Sequence, residues 1–159
     1  MSIKMERLES FVLSEHLLFR SHEDGHLVIG FSTRNYVAAD GTRGIALAVR
    51  LTEQGEYLEC IAPGLYNVRD CRHRDSVMKL LLAITQRCKM IRFECDPADG
   101  EVRCSIELPI EDGTVTRRQF IRMLKAIPEL IDEWDPAIRA ALETGVVHLV
   151  PATASVACG

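Results

Sequence analysis

Residues 90–142 read MIRFECDPADGEVRCSIELPIEDGTVTRRQFIRMLKAIPELIDEWDPAIRAAL, and this stretch decides the fold. Two runs within it, Met90–Asp96 and Val102–Leu108, alternate apolar and polar residues at period two, as strands with one buried face do. Asp99-Gly100 between them suits a two-residue hairpin turn. That turn predicts Cys95 opposite Cys104, Phe93 opposite Ile106 and Ile91 opposite Leu108, with Arg92 facing Glu107 and Asp96 facing Arg103 on the other side. A longer loop would shift the register while keeping the faces. Thr116-Arg-Arg-Gln119 is a capping box, with Val115 and Phe120 as its hydrophobic staple. The helix that follows carries Phe120, Leu124, Ile127, Ile131 and Trp134 along one face. Pro128 removes one helical hydrogen bond, so a kink or break is expected at residues 126–128. Asp135-Pro136 then reads as a cap with proline at the first helical position, restarting a helix of Ile138, Ala141 and Leu142 that stops at Gly145.

Upstream, the spacing of Leu8, Phe11, Val12, Glu15 and Leu18, widened by Leu17 and Phe19, predicts a helix over residues 2–19. His22-Glu-Asp-Gly-His26 breaks it. Leu27–Thr33 and Gly44–Leu51 read as strands, the second with Ile45, Leu47, Val49 and Leu51 on one face and alanines on the other, which suggests close cover there as well. Asp40-Gly41 and Gln54-Gly55 are turns, Glu56–Ile61 is a third strand, and Pro63-Gly64 ends it. Val77, Leu80, Leu81, Ile84 and Cys88, broadened by Met78 and Leu82, predict a helix over residues 74–89. Val146–Val150 is a short β-prone tail, and residues 151–159 read as disordered. The expected fold is one α+β domain over residues 1–150. Its element order is α-β-β-β-α-β-β-α, with a mostly antiparallel five-stranded sheet covered by helices on at least one side.

The 159 residues are 47% apolar and 26% charged, enough for a core and an ordinary surface. Glu6, Arg7, Glu9 and Glu15 interrupt the N-terminal segment, which lacks the apolar run of a signal peptide, and no stretch is apolar enough to span a membrane. The expected location is the cytoplasm. A net charge of −4 gives no field toward phosphate backbones. The basic cluster Arg69, Arg72, His73 and Arg74 is interleaved with Asp70 and Asp75, so no nucleic-acid partner is expected. Six cysteines, at 60, 71, 88, 95, 104 and 158, show neither C-x-x-C spacing nor a histidine at zinc-ligand distance, and they read as free, mostly buried thiols.

No nucleophile elbow, P-loop, dinucleotide fingerprint or H-E-x-x-H is present. The chain is therefore not expected to be an enzyme, and no catalytic residue, cofactor or metal is assigned. Where chemistry could sit, two imidazoles and two carboxylates fall within His22-Glu23-Asp24-Gly25-His26, which otherwise reads as a polar turn. His16, His73 and His148 stand alone. The competing reading is a small-molecule- or metal-binding domain with an enzymatic or redox role, using that turn, Cys71, or a disulfide between Cys95 and Cys104.

The element order resembles the fold of type III secretion chaperones. Residues 92–142 are similar to the YbjN-like family of bacterial sensory regulators, through Phe93-Glu-Cys-Asp96, the Gly100 turn, Ser105-Ile-Glu-Leu-Pro-Ile110, Asp112-Gly113, Thr116, the run from Phe120 to Trp134, and Pro136. The likeness in element order extends over roughly residues 5–145. It supplies no catalytic residues. It implies a homodimer that binds a protein partner of unknown identity, as secretion chaperones hold extended segments in apolar grooves, and so a chaperone-like adaptor or regulator. Exposed apolar surface and strand addition at a sheet edge are the physical means expected. The face Phe120, Leu124, Ile127, Ile131 and Trp134 is the expected partner or dimer contact, although Trp134 on that stripe suits the core equally.

Overall fold

The computed structural model describes residues 3–151. Its elements are α1 (Met5–Ser14), β1 (Phe19–Ser21), β2 (Leu27–Ser32), β3 (Gly44–Thr52), β4 (Tyr57–Asn67), α2 (Arg74–Arg87), β5 (Arg92–Cys95), β6 (Glu101–Pro109) and α3 (Arg117–Thr144). The six strands form one antiparallel sheet in the order β1-β2-β3-β4-β6-β5. The sheet thus has six strands rather than the expected five. The extra one is β1, which the helical spacing had absorbed into the first helix. That helix ends at Ser14 because His16 adopts φ +56°, and the chain turns into the β1–β2 hairpin. Leu18, assigned to the helical stripe, is instead 86% exposed.

All three helices pack on the sheet face that carries Leu27, Ile29, Ile45, Leu47, Val49, Leu58, Cys60, Val102, Cys104 and Ile106. α3 is the keel of that layer. Both halves of its capping box form, Gln119 N–H donating to Thr116 Oγ1 (3.2 Å) and Thr116 N–H to Gln119 Oε1 (2.9 Å), and the staple residues Val115 and Phe120 are buried. Ion pairs from Glu15 to Arg117 (3.0 Å) and Lys125 (3.2 Å) tie the end of α1 to it. The expected break does not occur. α3 is one helix of 28 residues with Pro128 and Pro136 both inside it and Gly145 as its left-handed cap. Tertiary packing overrides the lost hydrogen bonds, because Pro128 is itself buried in the core. The partner-contact face is also corrected. Phe120, Leu124, Ile127 and Ile131 are fully buried and Trp134 is 6% exposed, so the stripe is spent on the chain's own sheet.

Three smaller expectations change. β4 does not end at Pro63-Gly64 but bulges there and re-pairs with β6 at Tyr66–Val102. This is tolerated because the ladder with β3 stops at the Ala48–Ile61 pair, so the missing N–H of Pro63 orphans nothing on that side. In α2, Leu82 faces solvent and does not widen the apolar stripe. The segment 146–150 forms no strand; Arg87 donates to the Leu149 carbonyl. The disordered-tail expectation falls mostly on residues 152–159, outside the described residues.

The hairpin keeps its predicted faces and shifts its register by two. Phe93 pairs with Cys104 and Cys95 with Val102. The turn is longer than two residues, closed by Asp96 N–H to the Glu101 carbonyl (2.9 Å) and Gly100 N–H to the Asp96 carbonyl (2.8 Å). Gly100 has φ +75°, and a Cβ there would lie 2.4 Å from the Arg69 backbone nitrogen, so no other residue fits. Two outcomes follow for urea unfolding of the purified chain. Gly100→Ala lowers stability by about 2 kcal/mol or more, since strain and clash add. Leu124→Ala lowers it by about 3 kcal/mol, as a cavity in a core and not a lost partner contact would.

Candidate functional site

Among the described residues, no helix covers the other sheet face. On its β2–β3–β4 side it presents Val28, Gly30, Ala46, Ala48 and Ile61, small or apolar side chains that are exposed or half-buried. The alanines therefore face open surface, not the close cover their size suggested. On its β6–β5 side a charged network takes over. Arg92 bonds Glu94 (2.6 Å) and Glu107, Arg103 Nε lies 3.0 Å from Glu94 Oε2, Ser105 Oγ donates to Glu94 (2.8 Å), and Tyr57 OH donates to Glu107 (3.0 Å). Burial works against the charge on Glu94, but the hydrogen bonds from Arg92 and Ser105 outweigh it and hold the carboxyl below its usual range. Charges on the four-residue edge strand β5 also protect that edge from indiscriminate pairing.

The apolar half runs into a groove of about 430 Å³. Its floor is the paired ends of β2 and β3, and its walls are the bulge Pro63–Leu65 and the loop of residues 33–43, which contributes Tyr36, Ala38 and Arg43. Because β4 leaves β3 after Ala48–Ile61, the sheet is split beneath this groove. A second groove, about 300 Å³, lies on the helix side of β2 between Leu17, Phe31, Lys125 and Pro128. The β1 ladder ends at Phe19–Ile29, so Phe31 and Ser32, paired with β3 on one side, have no described strand on the other, and both grooves flank that edge.

The loop wall is held by α3. The Asp132 carboxylate accepts from the backbone N–H groups of Arg34 (2.9 Å), Asn35 (2.6 Å) and Tyr36 (2.9 Å). The Asp132 carbonyl accepts from Asn35 Nδ2 (2.8 Å). That carbonyl lies four residues before Pro136, whose missing N–H leaves it free within the helix. Arg139 adds a bond to the Val37 carbonyl (2.6 Å) and pairs with the buried Asp135 (3.0 Å), which accepts from Tyr66 OH (2.9 Å). Tyr36 OH reaches the Leu65 carbonyl (3.1 Å), joining the two groove walls, and its ring meets Tyr66 edge-on. Burial, reinforced by Asp135, pushes the Tyr66 phenol well above its usual range.

The five described cysteines take no part in this surface. Cys60, Cys71, Cys88, Cys95 and Cys104 are free. Burial pushes the Cys60 thiol up to about 12, and burial likewise raises Cys104 and Cys88. The register places Cys95 across from Val102, which removes the direct Cys95–Cys104 pairing. Cys71 is half-buried with its sulfur 3.6 Å from the Leu142 carbonyl. His22, Asp24 and His26 do come together, at the tip of the β1–β2 hairpin. Sequence reasoning missed Asp132, Asn35 and Tyr36 entirely; only the in-helix proline four residues after Asp132 marked the spot.

Fold and surface together define a helix-backed antiparallel α+β domain with one open sheet face. Residues 5–140 match the family described as "Putative bacterial sensory transduction regulator", and the chain belongs to this family, YbjN. A solved structure titled "Crystal structure of YbjN, a putative transcription regulator from E. coli" superposes with a TM-score of 0.60 at 13% identity, over 84% of this chain and 93% of that one. That likeness is one of fold. No curated protein matches the sequence. No described helix is long and apolar enough to cross a membrane.

The three N–H bonds outweigh the burial that opposes the charge, so the Asp132 carboxyl sits below its usual range. Its contribution to stability is complete above the unfolded value of about 3.9 and is lost as pH falls through the lower folded value. Protection of the Arg34–Tyr36 amides, relative to their intrinsic exchange rates, should therefore hold at pH 5 and be lost only well into acid. Asp132→Ala should make the same amides exchange fast at neutral pH.

Proposed function

We propose that the chain is a non-catalytic regulator that works as a homodimer and holds a segment of a protein partner, in a chaperone-like or adaptor role. The observation that carries this reading is the open sheet face. A six-stranded sheet with one face solvated normally alternates to strongly polar residues there, yet on this face Val28, Gly30, Ala46, Ala48 and Ile61 form an apolar patch bordered by Arg20 and by the Arg50–Glu59 pair. Contiguous apolar patches of this kind mark interaction surfaces. Small side chains let another surface approach closely, and the charged network beside them supplies a polar rim. Two copies meeting through this patch bury it in both. The groove shares Gly30 and Ala46 with the patch, so each copy brings a groove to the edge of the contact. The unpaired edge at Phe31 and Ser32 then offers backbone groups to an extended partner segment, with Phe31 and Leu17 as apolar contacts. Membership in a family described as a sensory transduction regulator supports a regulatory role.

Light scattering on the purified chain tests the reading. A dimer is expected. Ala48→Arg, which sets a charge in the middle of the half-buried patch, should yield a monomer with thermal stability within about 1 kcal/mol of the parent, as is usual for a surface change. A parent that is monomeric at all concentrations contradicts the homodimer, and a dimer indifferent to Ala48→Arg contradicts this face.

A further inference from the structure

One corner of the open face carries a cluster that partner binding leaves unused. β1 and β2 are joined by His22-Glu23-Asp24-Gly25-His26. His22 N–H donates to the His26 carbonyl (2.9 Å) and Gly25 N–H to the His22 carbonyl (2.9 Å), with Gly25 at φ +83°. A three-residue loop closed by a left-handed glycine is a standard hairpin end. It extends the register beyond Ser21–Leu27 by one pair, which sets the two imidazoles directly opposite each other. Their rings stack with centroids 4.5 Å apart and planes 11° from parallel. Asp24 Oδ1 lies 2.7 Å from His26 Nδ1. One ligand atom from each of His22, Asp24 and His26 can be chosen so that all lie within 4.8 Å of one another.

We infer that this hairpin tip binds a late first-row divalent metal ion of the zinc, nickel or copper type, through His22, Asp24 and His26. Two imidazoles and a carboxylate suit these ions, whereas calcium and magnesium take oxygen-rich sets. A tetrahedral ion with bonds of about 2.0–2.1 Å needs ligand atoms about 3.3 Å apart. His22 and Asp24 are exposed, so side-chain rotation alone can close the gap while the backbone stays as the loop fixes it. Asp24 has two uses in such a site. It can ligate directly, or it can stay on His26 Nδ1, fixing the tautomer that leaves Nε2 free for the metal. Three protein ligands leave coordination positions open, which makes a labile site and not a structural one. Arg50 of β3 shares the pocket wall with Asp24, Gly25 and His26, and its charge opposes a cation there. The affinity is accordingly moderate and should rise when Arg50 is neutralised. A bound ion would clasp the three-residue strand β1 to β2 at the hairpin end, beyond the Ser21–Leu27 pair.

Calorimetric titration of the full chain with nickel and zinc chloride, with cobalt absorption as a second readout, tests the inference. One ion per chain is expected. His22→Gln and His26→Gln should each weaken binding by about tenfold or more, and Arg50→Gln should tighten it several-fold. The cobalt complex should lack a sulfur-to-metal charge-transfer band, which separates this site from the free thiols. His22→Gln and Arg50→Gln should melt like the parent in the presence of chelator, because both residues are exposed. Absence of binding at millimolar metal overturns the site. So does an affinity unchanged in the double variant, or a spectrum with the thiolate band.

Discussion

Asp132 ties the loop after β2 to the helix layer. Its carboxylate gathers three consecutive backbone N–H groups from the loop after β2, and its carbonyl takes the side-chain amide of Asn35. A carbonyl in the middle of a helix is ordinarily committed to the N–H four residues on. Here that residue is Pro136, and the carbonyl is available because the proline has nothing to donate. The local cost to α3 thus becomes a tertiary bond, and charge-assisted acceptance by the carboxylate strengthens it. Arg139, two turns further along, repeats the pattern by donating to Val37 while pairing with buried Asp135.

The shape of the surface follows from that junction. With the loop drawn onto α3, Tyr36 reaches the bulge of β4 and braces the groove between them. β4 can bulge because Pro63 and Gly64 stand where the ladder to β3 has already ended, and the Gly64 N–H is taken by Glu101 of β6 (2.7 Å). The sheet therefore splits at one place only, the place that borders its uncovered apolar patch. Helices fill the opposite face with Phe120, Leu124, Ile127 and Ile131, leaving none of that stripe for a partner. Whatever this domain binds must meet it from the open side, at an edge, or across the helices' outer faces, where Leu13 and Leu82 are isolated exposed side chains.

Local chemistry made much of this legible. The capping box at Thr116–Gln119, the stripes of α2 and α3, and the alternation in β3 and β6 each name an element and its inward face, and the structure keeps those faces. What escaped was everything decided by distant residues. A three-residue strand such as β1 has too few residues for a period to show, and Leu17–Phe19 extends a helical spacing by accident. The two prolines of α3 obey their local rule in losing hydrogen bonds and still do not break the helix, because burial on the sheet is worth more than one bond. The hairpin shift of two residues is the same kind of miss, since alternation fixes facing but only the loop fixes register. Of the candidate site, the His22–His26 cluster could be read directly, while the Asp132 junction could not, being built across nearly a hundred residues of sequence.

On the proposed reading, the uncovered sheet face is where this family member meets other protein surface. Hydroxyl-radical footprinting across a concentration series that takes the chain from monomer to assembly addresses it most directly, because it reads side chains on both faces at once. Val28, Tyr57 and Ile61 should lose reactivity as the assembly forms, while Leu13 and Leu82 on the helical side keep theirs. Protection confined to Leu13 and Leu82, with the sheet face unchanged, would contradict it.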